Sequence, residues 1–249
     1  ARDRVSVNQG RQVAELSSGV RLYGIVNAQE ADGRQMPDGA CVVPFRDLAA
    51  ITTECSPGEA FSWRRTPAPP NLDTYRGVIE AVFEQCSIVP APPGIIFRSR
   101  QAIVRWMELH YVALSDAHAF IDGRAVGRVH VERRAPLLAG ANVRHEHLAG
   151  EAVAREVFRS LSGHAVTWTP IGGVPTAATG EYPAVPATTA ATAEYVASDA
   201  SQASFLIDRA HWPDFEAAVA EEDRRDAALG VWVSGPWPPY DFVRLQFGG

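Results

Sequence analysis

Near the end of the chain stands the run Gly235-Pro236-Trp237-Pro238-Pro239-Tyr240-Asp241-Phe242-Val243. Three prolines within four residues fix φ and remove backbone donors, so this run is incompatible with a helix or a central strand. Apolar, strand-like sequence flanks it at residues 231–233 and 242–245. The pattern therefore predicts a stiff corner between two strands, and this corner carries three aromatic side chains.

The three rings of the corner, Trp237, Tyr240 and Phe242, have two uses that the sequence leaves open. Large rings with few rotatable bonds lose little entropy when they bind or pack. In one interpretation the rings fill a pocket in their own domain, which is the commoner use because folded chains bury most of their large rings. In the other they form a docking surface for another protein. Both uses coexist if one ring packs inward and another faces out.

Three other segments accompany this run in the order of a known family. They are residues 22–26 (Leu-Tyr-Gly-Ile-Val), residues 46–51 and residues 203–208, the last followed by Phe215. The C-terminal run resembles a GPWPPY-(D/N/S)-F-V signature. Over about residues 20–247 the chain is therefore similar to the gas vesicle protein F/L family (GvpF/GvpL). The signature residues are Tyr23, Gly24, Gly235, Pro236, Trp237, Pro238, Pro239, Tyr240 and Phe242.

The resemblance implies an α+β protein of two small domains without enzymatic activity. Such a protein would act in gas vesicle assembly, or as a minor structural component, by binding the small hydrophobic shell subunit and other accessory proteins. It would be cytoplasmic and associated with gas vesicles. One segment departs from the family pattern: Pro92 and Pro93 stand where the family usually has an Arg-Phe pair.

Composition and charge exclude several classes of function. The net charge of -6 argues against a nucleic-acid partner, which requires a concentrated basic face. All 23 basic residues are arginines, so neither a P-loop lysine nor a Schiff-base lysine is available. Hydrophobic residues make up 46% of the chain, yet no apolar run approaches the roughly 20 residues that span a bilayer.

Cysteine usage bears on the compartment. Cys41, Cys55 and Cys86 are an odd number at wide spacings, which fits neither a disulfide framework nor a zinc knuckle. No charged-then-apolar leader precedes the first predicted strand. Together these features predict a cytoplasmic protein without disulfides.

Composition along the chain predicts its domains. A flexible lead-in at residues 1–19 precedes an N-terminal α+β domain at 20–125 and a C-terminal α+β domain at 126–249. A stretch at about 163–198, rich in Pro, Ala and Thr, is predicted as a long loop of the second domain. A strand, a helix and a strand over 205–233 predict that this domain is ferredoxin-like.

Apolar periodicity of 3.6 residues predicts several helices. They cover residues 71–86, residues 99–114 with Ser99 as the cap, and residues 146–161. In the last of these the predicted inward side chains are Leu148, Ala152, Val153, Val157 and Leu161. A further helix opens at Pro213, and its residues 221–225 are predicted to form a solvated charged face.

An alternative function rests on His145 and His147, which flank Glu146. In an extended segment this alternation would put both imidazoles on one side, as in a metal site, and would make the protein a small metal-dependent enzyme. A zinc site needs a third ligand, and none stands at a recognised spacing. We therefore predict no metal, no cofactor and no catalytic residues, and keep the enzyme as the second hypothesis.

Overall fold

Strand β1 (Gly19–Asn27) is a central strand of the first of two antiparallel sheets. It pairs on one side with β3 (Leu48–Cys55) and on the other with β4 (Ile88–Pro90) and β5 (Ile96–Phe97), and β3 also pairs with β2 (Cys41–Phe45).

This computed structural model describes residues 19–37, 39–56, 72–134, 143–171, 201–243, 245 and 247, with the backbone alone over 143–149.

Four helices accompany the first sheet. They are α1 (Ala28–Ala31), α2 (Leu72–Phe83), α3 (Arg100–Leu109) and α4 (Tyr111–Ile121). The predicted periodicity of α2 is confirmed, because Tyr75, Ile79 and Val82 are buried. Ser99 caps α3 as predicted, since its Oγ accepts a hydrogen bond from the backbone N–H of Ala102 at 3.2 Å.

The predicted helix over 99–114 is in fact two helices. His110, with φ of -107° and ψ of 13°, lies between α3 and α4 and leaves the helical region. Ile103, Met107 and Leu114 nevertheless share one buried cluster, so the apolar period extends across the break.

Four antiparallel strands in the order β7-β8-β6-β9 form the second sheet. They are β6 (Arg124–Arg133), β7 (Thr167–Ile171), β8 (Ser201–Asp208) and β9 (Leu229–Trp237). Helices α5 (Val143–Leu161) and α6 (Trp212–Arg225) pack on one face of this sheet, where Val129, Phe205 and Val231 share a cluster with Val157 and Phe215. Pro213 stands in the first turn of α6, as predicted.

The chain divides into two units, residues 1–122 with 243–249, and residues 123–242. The predicted domain limits differ from this division at two places. The second unit begins at Gly123, and the chain from Val243 onward belongs to the first unit. The apolar tail explains the second difference: Val243, Leu245 and Phe247 pack in the core of the first unit, where Phe247 stacks on Trp106 with ring centroids 4.9 Å apart.

The predicted α+β class is confirmed by two antiparallel sheets with helices. Elements of the second unit follow the order β-α-β-β-α-β, which is compatible with the ferredoxin-like prediction; that detail stays a prediction. Within the described part of the chain, no helix is both long and apolar enough to cross a membrane.

Three local predictions differ from the structure. The loop predicted over about 163–198 contains strand β7; its residues from 172 onward lie outside the described part of the chain, as does the lead-in at 1–18. The strand predicted at 242–245 is absent at its described residues, since Phe242 lies in a turn and Val243 and Leu245 have irregular backbone.

The third difference concerns two helix faces. In α5 the described buried residues are Ala154, Val157, Phe158 and Leu161. Ala152 and Val153, both predicted to face inward, are exposed, Val153 at 38%, and the side chain of Leu148 lies outside the described part of the chain. In α6 the predicted solvated charged face includes a buried residue, Glu222, which is 6% exposed. Ser160 donates a hydrogen bond to the Glu222 carboxylate at 2.5 Å, and Arg225 pairs with it at 2.9 Å, so the buried charge is compensated.

Candidate functional site

Strand β9 lies at the edge of the second sheet. Among the described residues it pairs with β6 alone, so the backbone groups along its other side have no strand partner within this sheet. An edge strand of this kind is a template on which another chain can add a strand. Pro236 lies in β9 at this edge, where proline is tolerated although it lacks a backbone donor.

Trp232 lies on the face of the sheet opposite the helices. Val231 and Val233 pack with the helix-side cluster, and side chains alternate between the faces of a strand. The indole of Trp232 is 41% exposed and stacks on the imidazole of His130, the residue opposite it on β6. The ring centroids are 5.1 Å apart and the planes are 3° from parallel. The stack gives the indole a fixed orientation on an exposed surface.

Trp237 is a second exposed indole on the same strand, at 37%. Its Nε1 donates a hydrogen bond to Ser234 Oγ at 3.3 Å, and the same oxygen lies 3.4 Å from His130 Nε2. Ser234 therefore links the two tryptophans through the histidine. We call Trp232, Trp237, His130 and Ser234 the tryptophan edge.

The backbone between the two indoles is specified by Gly235. Its φ of +135° is a conformation that L side chains rarely adopt, and a Cβ here would lie 2.6 Å from the carbonyl oxygen of Val126 and 2.9 Å from Cη2 of Trp212. The following bond, Gly235–Pro236, is cis, and the pairing of β6 with β9 shifts register between Val126 and Arg128. Such an irregularity re-aims the side chains beyond it, here that of Trp237.

Beyond Trp237 the chain turns inward. Pro238 and Pro239 are buried, whereas Tyr240 and Phe242 are half-buried. Asp241 fixes this turn to the sheet.

The carboxylate of Asp241 accepts a hydrogen bond from Ser204 Oγ at 2.6 Å. It also accepts three from the Arg128 guanidinium: from Nε and Nη2 to Oδ2, both at 3.2 Å, and from Nη2 to Oδ1 at 3.4 Å. Charge-assisted bidentate contacts of this kind are among the stronger hydrogen bonds. The corner thus combines an anchored inner part with one exposed ring.

Two ionisable groups of this region have shifted pKa values. Burial, with a smaller contribution from the Arg128 charge, lowers the pKa of His130, which favours the neutral ring stacked on Trp232. The backbone N–H of Val231 donates to Asp223 Oδ1 at 2.8 Å, and this hydrogen bond is the main reason that the pKa of Asp223 is lowered. Asp223 therefore ties the start of β9 to helix α6.

The other signature residues, Tyr23 and Gly24, lie in the core of the first unit. Tyr23 is buried, stacks on Tyr75 at 5.0 Å between ring centroids, and has its hydroxyl 3.2 Å from Thr53 Oγ1. A Cβ on Gly24 would lie 2.6 Å from the carbonyl oxygen of Val89 on the neighbouring strand β4. These two residues serve the packing of the first sheet.

The histidine pair of the enzyme hypothesis lies in a helix. His145 and His147 belong to α5, which begins at Val143, so the extended segment on which that hypothesis rests is not formed. Residues two apart in a helix do not share a face. The local geometry that suggested a metal centre at these two positions was therefore predicted wrongly.

Sequence reasoning missed Trp232, His130 and Ser234 as surface residues. A usable signal was present: Trp232 stands between Val231 and Val233, and His130 between Val129 and Val131. In a strand with one buried face this alternation places both rings on the opposite face.

A family model for the gas vesicle synthesis protein GvpL/GvpF matches residues 19–152 and 146–244. The crystal structure of the gas vesicle protein GvpF from Anabaena sp. PCC7120 superposes with a TM-score of 0.63 at 15% identity, covering 94% of this chain and 99% of that one. GvpF from Microcystis aeruginosa gives a TM-score of 0.58 at 14% identity, covering 90% and 98%. No curated protein matches at the sequence level. The family match extends over both units, and the chain therefore belongs to the gas vesicle synthesis protein GvpL/GvpF family.

Proposed function

We propose that this protein is a non-enzymatic gas vesicle assembly or minor structural protein that binds the small hydrophobic shell subunit and other accessory proteins. The family supports a role in gas vesicles. The observation that carries the finer proposal is the exposure of Trp232 and Trp237 along β9, an edge strand that pairs with β6 as its one strand partner among the described residues. Rigid, exposed indoles are the side chains that most often dominate the affinity of protein interfaces.

The proposed mechanism uses the open side of strand β9 and the two exposed indoles of the tryptophan edge. A strand of the shell subunit adds to the open side of β9, and backbone hydrogen bonds supply affinity. The two indoles cover apolar side chains of that subunit, which would otherwise drive association before assembly. The protein then acts at the vesicle as an adaptor that delivers shielded subunits, and this places it with gas vesicles in the cell.

A second exposed apolar surface in the first unit offers an internal comparison. Leu109 and Val112, at the junction of α3 and α4, are strongly exposed, and Phe120 is exposed on α4. Leu109 ends α3 and Val112 lies in the first turn of α4, and a helix pairs its backbone groups internally instead of offering a strand edge. We therefore assign the shell subunit to the tryptophan edge and use the helical surface as the control.

The test is a binding measurement between purified full-length protein and shell subunit. Because hot-spot tryptophans contribute 2 kcal/mol or more, we expect the double variant Trp232→Ala, Trp237→Ala to bind about thirtyfold or more weakly. The matched control is Leu109→Ala, Val112→Ala, which should bind like the parent protein. Circular dichroism on both variants establishes that they are folded.

Three outcomes are distinguishable. Loss of binding in the tryptophan variant alone supports the proposal. Loss in the helical variant alone would move the binding surface to the first unit, and unchanged binding in both would remove shell-subunit binding from these surfaces. Amide hydrogen exchange adds a separate readout, since strand addition should slow exchange along β9.

A further inference from the structure

Three side chains of the first unit converge on one point. Glu30, His118 and Asp122 each present a ligand atom, and these atoms all lie within 4.8 Å of one another. His118 stands in α4. Asp122, four residues after His118, directly follows the end of that helix. This spacing places both residues on the same side of the helix.

Helix α1 brings Glu30 to the same place. Asn27, the last residue of β1, caps α1 through its side chain, whose Oδ1 accepts hydrogen bonds from the backbone N–H groups of Gln29 at 2.8 Å and Glu30 at 3.3 Å. The cap fixes the first turn of this four-residue helix directly after the strand. Glu30 is therefore held in place by secondary structure rather than carried on a loop.

The imidazole of His118 is the buried member of this cluster. Only 6% of this residue is exposed, and its Nε2 is buried without a hydrogen-bond partner among the described residues. A buried polar nitrogen left unpaired costs free energy, and nearly all such atoms in folded proteins are satisfied. The half-buried Glu30 and the exposed Asp122 place two carboxylates beside this ring.

The three donor atoms determine which kind of ligand could bind to this cluster. An imidazole nitrogen and two carboxylate oxygens suit a divalent transition-metal cation, with bonds of about 2.0–2.2 Å to zinc. Ligand atoms around a tetrahedral zinc lie roughly 3.4 Å apart, and the three atoms here lie within 4.8 Å of one another, with Asp122 on the exposed side of the cluster. Magnesium and calcium prefer oxygen ligands alone, and the imidazole disfavours them.

We propose that Glu30, His118 and Asp122 bind one divalent transition-metal cation, with zinc as the preferred ion. The two carboxylates balance its charge, the neutral imidazole supplies the nitrogen ligand, and water completes the coordination shell. The cation joins α1, directly after β1, to the end of α4. Because it binds only the folded protein, it stabilises the first unit by mass action.

The experiment titrates chelator-treated, full-length protein with zinc chloride in a calorimeter, with magnesium and calcium chloride as separate arms. We expect one zinc per chain, little heat from the other two salts, and a higher melting temperature with zinc. Glu30→Gln and Asp122→Asn each remove a charged ligand at little risk to folding. Each should weaken zinc binding by about tenfold or more, the scale at which even outer-shell changes act on metal sites.

Two controls separate this site from its alternatives. Asp116→Asn, on the exposed side of α4, should leave zinc binding unchanged. A double variant of His145→Ala and His147→Ala tests the histidine pair of α5 and should also bind like the parent protein. The proposal is overturned if zinc does not bind, or if Glu30→Gln and Asp122→Asn bind as tightly as the parent. A loss confined to the α5 variant overturns it equally.

Discussion

The imidazole of His130 lies parallel to the indole of Trp232, with 5.1 Å between the ring centroids and 3° between the planes. The two residues are opposite each other on β6 and β9, on the face that the helices leave uncovered. A cross-strand pair of this kind contributes to sheet stability and also restricts the orientation of the exposed ring. The pair connects the stability of the edge strand to the surface that we propose for docking.

We expect His130 to titrate below its ordinary value of 6.5, because burial and the Arg128 charge lower its pKa. When the folded pKa is below the unfolded one, the unfolded state binds more protons. The contribution of His130 to stability is therefore complete above pH 6.5 and decreases as the pH falls through the folded pKa. A proton NMR titration of the ring measures the pKa, and urea unfolding at several pH values measures the consequence.

His130→Gln is the control for that pH dependence. This variant should lack the part of the pH dependence that arises from the imidazole. Trp232→Ala should raise the pKa of His130 toward its ordinary value, because it uncovers one face of the ring. A pKa of His130 at or above 6.5 in the parent protein would contradict the first expectation.

Asp223→Asn should destabilise the attachment of β9 to α6. Asp223 Oδ1 accepts hydrogen bonds from the backbone N–H of Val231 at 2.8 Å and from Arg134 at 2.5 Å. Since the pKa of Asp223 is lowered from 3.8, its stabilising effect is present above that value and is lost as the pH falls through the lower folded pKa. Thermal unfolding at neutral pH should show a lower melting temperature for the variant.

Glu221→Gln, on the same helix, is the matched control for Asp223→Asn. Among the described residues Glu221 pairs with the exposed Arg224, at 2.8 Å, and exposed pairs contribute little to stability. We expect its melting temperature to stay near that of the parent. Equal effects from the two variants would mean that the contact with Val231 adds nothing.

Gly24→Ala should destabilise the first sheet although it adds a single methyl group. That group would lie 2.6 Å from the carbonyl oxygen of Val89, so β1 and β4 would have to separate. Overpacking of this kind costs about 1–3 kcal/mol in the free energy of unfolding.

Gly77→Ala in α2 is the matched control, because nothing lies within 4 Å of its Cβ position. Alanine in a helix interior should stabilise by about 0.5–1 kcal/mol. Urea unfolding of both variants measures the difference, and a loss from Gly77→Ala as large as that from Gly24→Ala would refute the steric explanation.

Ser160→Ala should lower the free energy of unfolding more than substitutions at exposed positions usually do, although Ser160 is exposed. Ser160 donates to the buried carboxylate of Glu222, and a hydrogen bond to a charged group contributes about 1.5–3 kcal/mol. Ser162→Ala is the control, because the Ser162 hydroxyl donates to the backbone carbonyl of Arg159 on an exposed surface. Chemical unfolding should show the larger loss for Ser160→Ala, and similar losses would show that Glu222 does not depend on this serine.

Sequence reasoning succeeded where one feature dominates a segment. In α2 the period of Tyr75, Ile79 and Val82 has no competing pattern, so the buried face follows directly from it. In α5 the apolar residues occur on two faces, and alanines such as Ala152 and Ala154 carry little hydrophobic signal. The packing partners decide between the faces, and they bury Phe158 while leaving Val153 exposed.

Two further differences arise from contacts between residues distant in the sequence. Pro170 weakens any strand prediction for β7, yet this strand lies at the edge of its sheet, where Trp168 stacks on Phe205 at 5.9 Å. Glu222 is predicted as solvated from its charged neighbours, but Ser160 on another helix satisfies it in a buried position. Neither partner is visible in the local pattern.

Gly235→Ala tests whether the backbone conformation at the proline-rich corner is required for binding through the tryptophan edge. The added methyl group would lie 2.6 Å from the carbonyl oxygen of Val126, at a φ of +135° that alanine rarely adopts. Such backbone strain costs about 1–3 kcal/mol, and relieving it requires the strand to shift, which moves Trp237 relative to Trp232. We expect a lower free energy of unfolding and, in variants that still fold, weaker binding of the shell subunit.

Gly230→Ala, also on β9, supplies the matched comparison for Gly235→Ala. Its Cβ would meet first the side chain of Glu132, at 3.3 Å, which can move, and its backbone has no positive φ. This variant should bind the shell subunit like the parent protein. If Gly235→Ala folds with reduced stability but binds normally, the relative placement of the two indoles is irrelevant to docking, and the proline-rich run serves the architecture of the sheet alone.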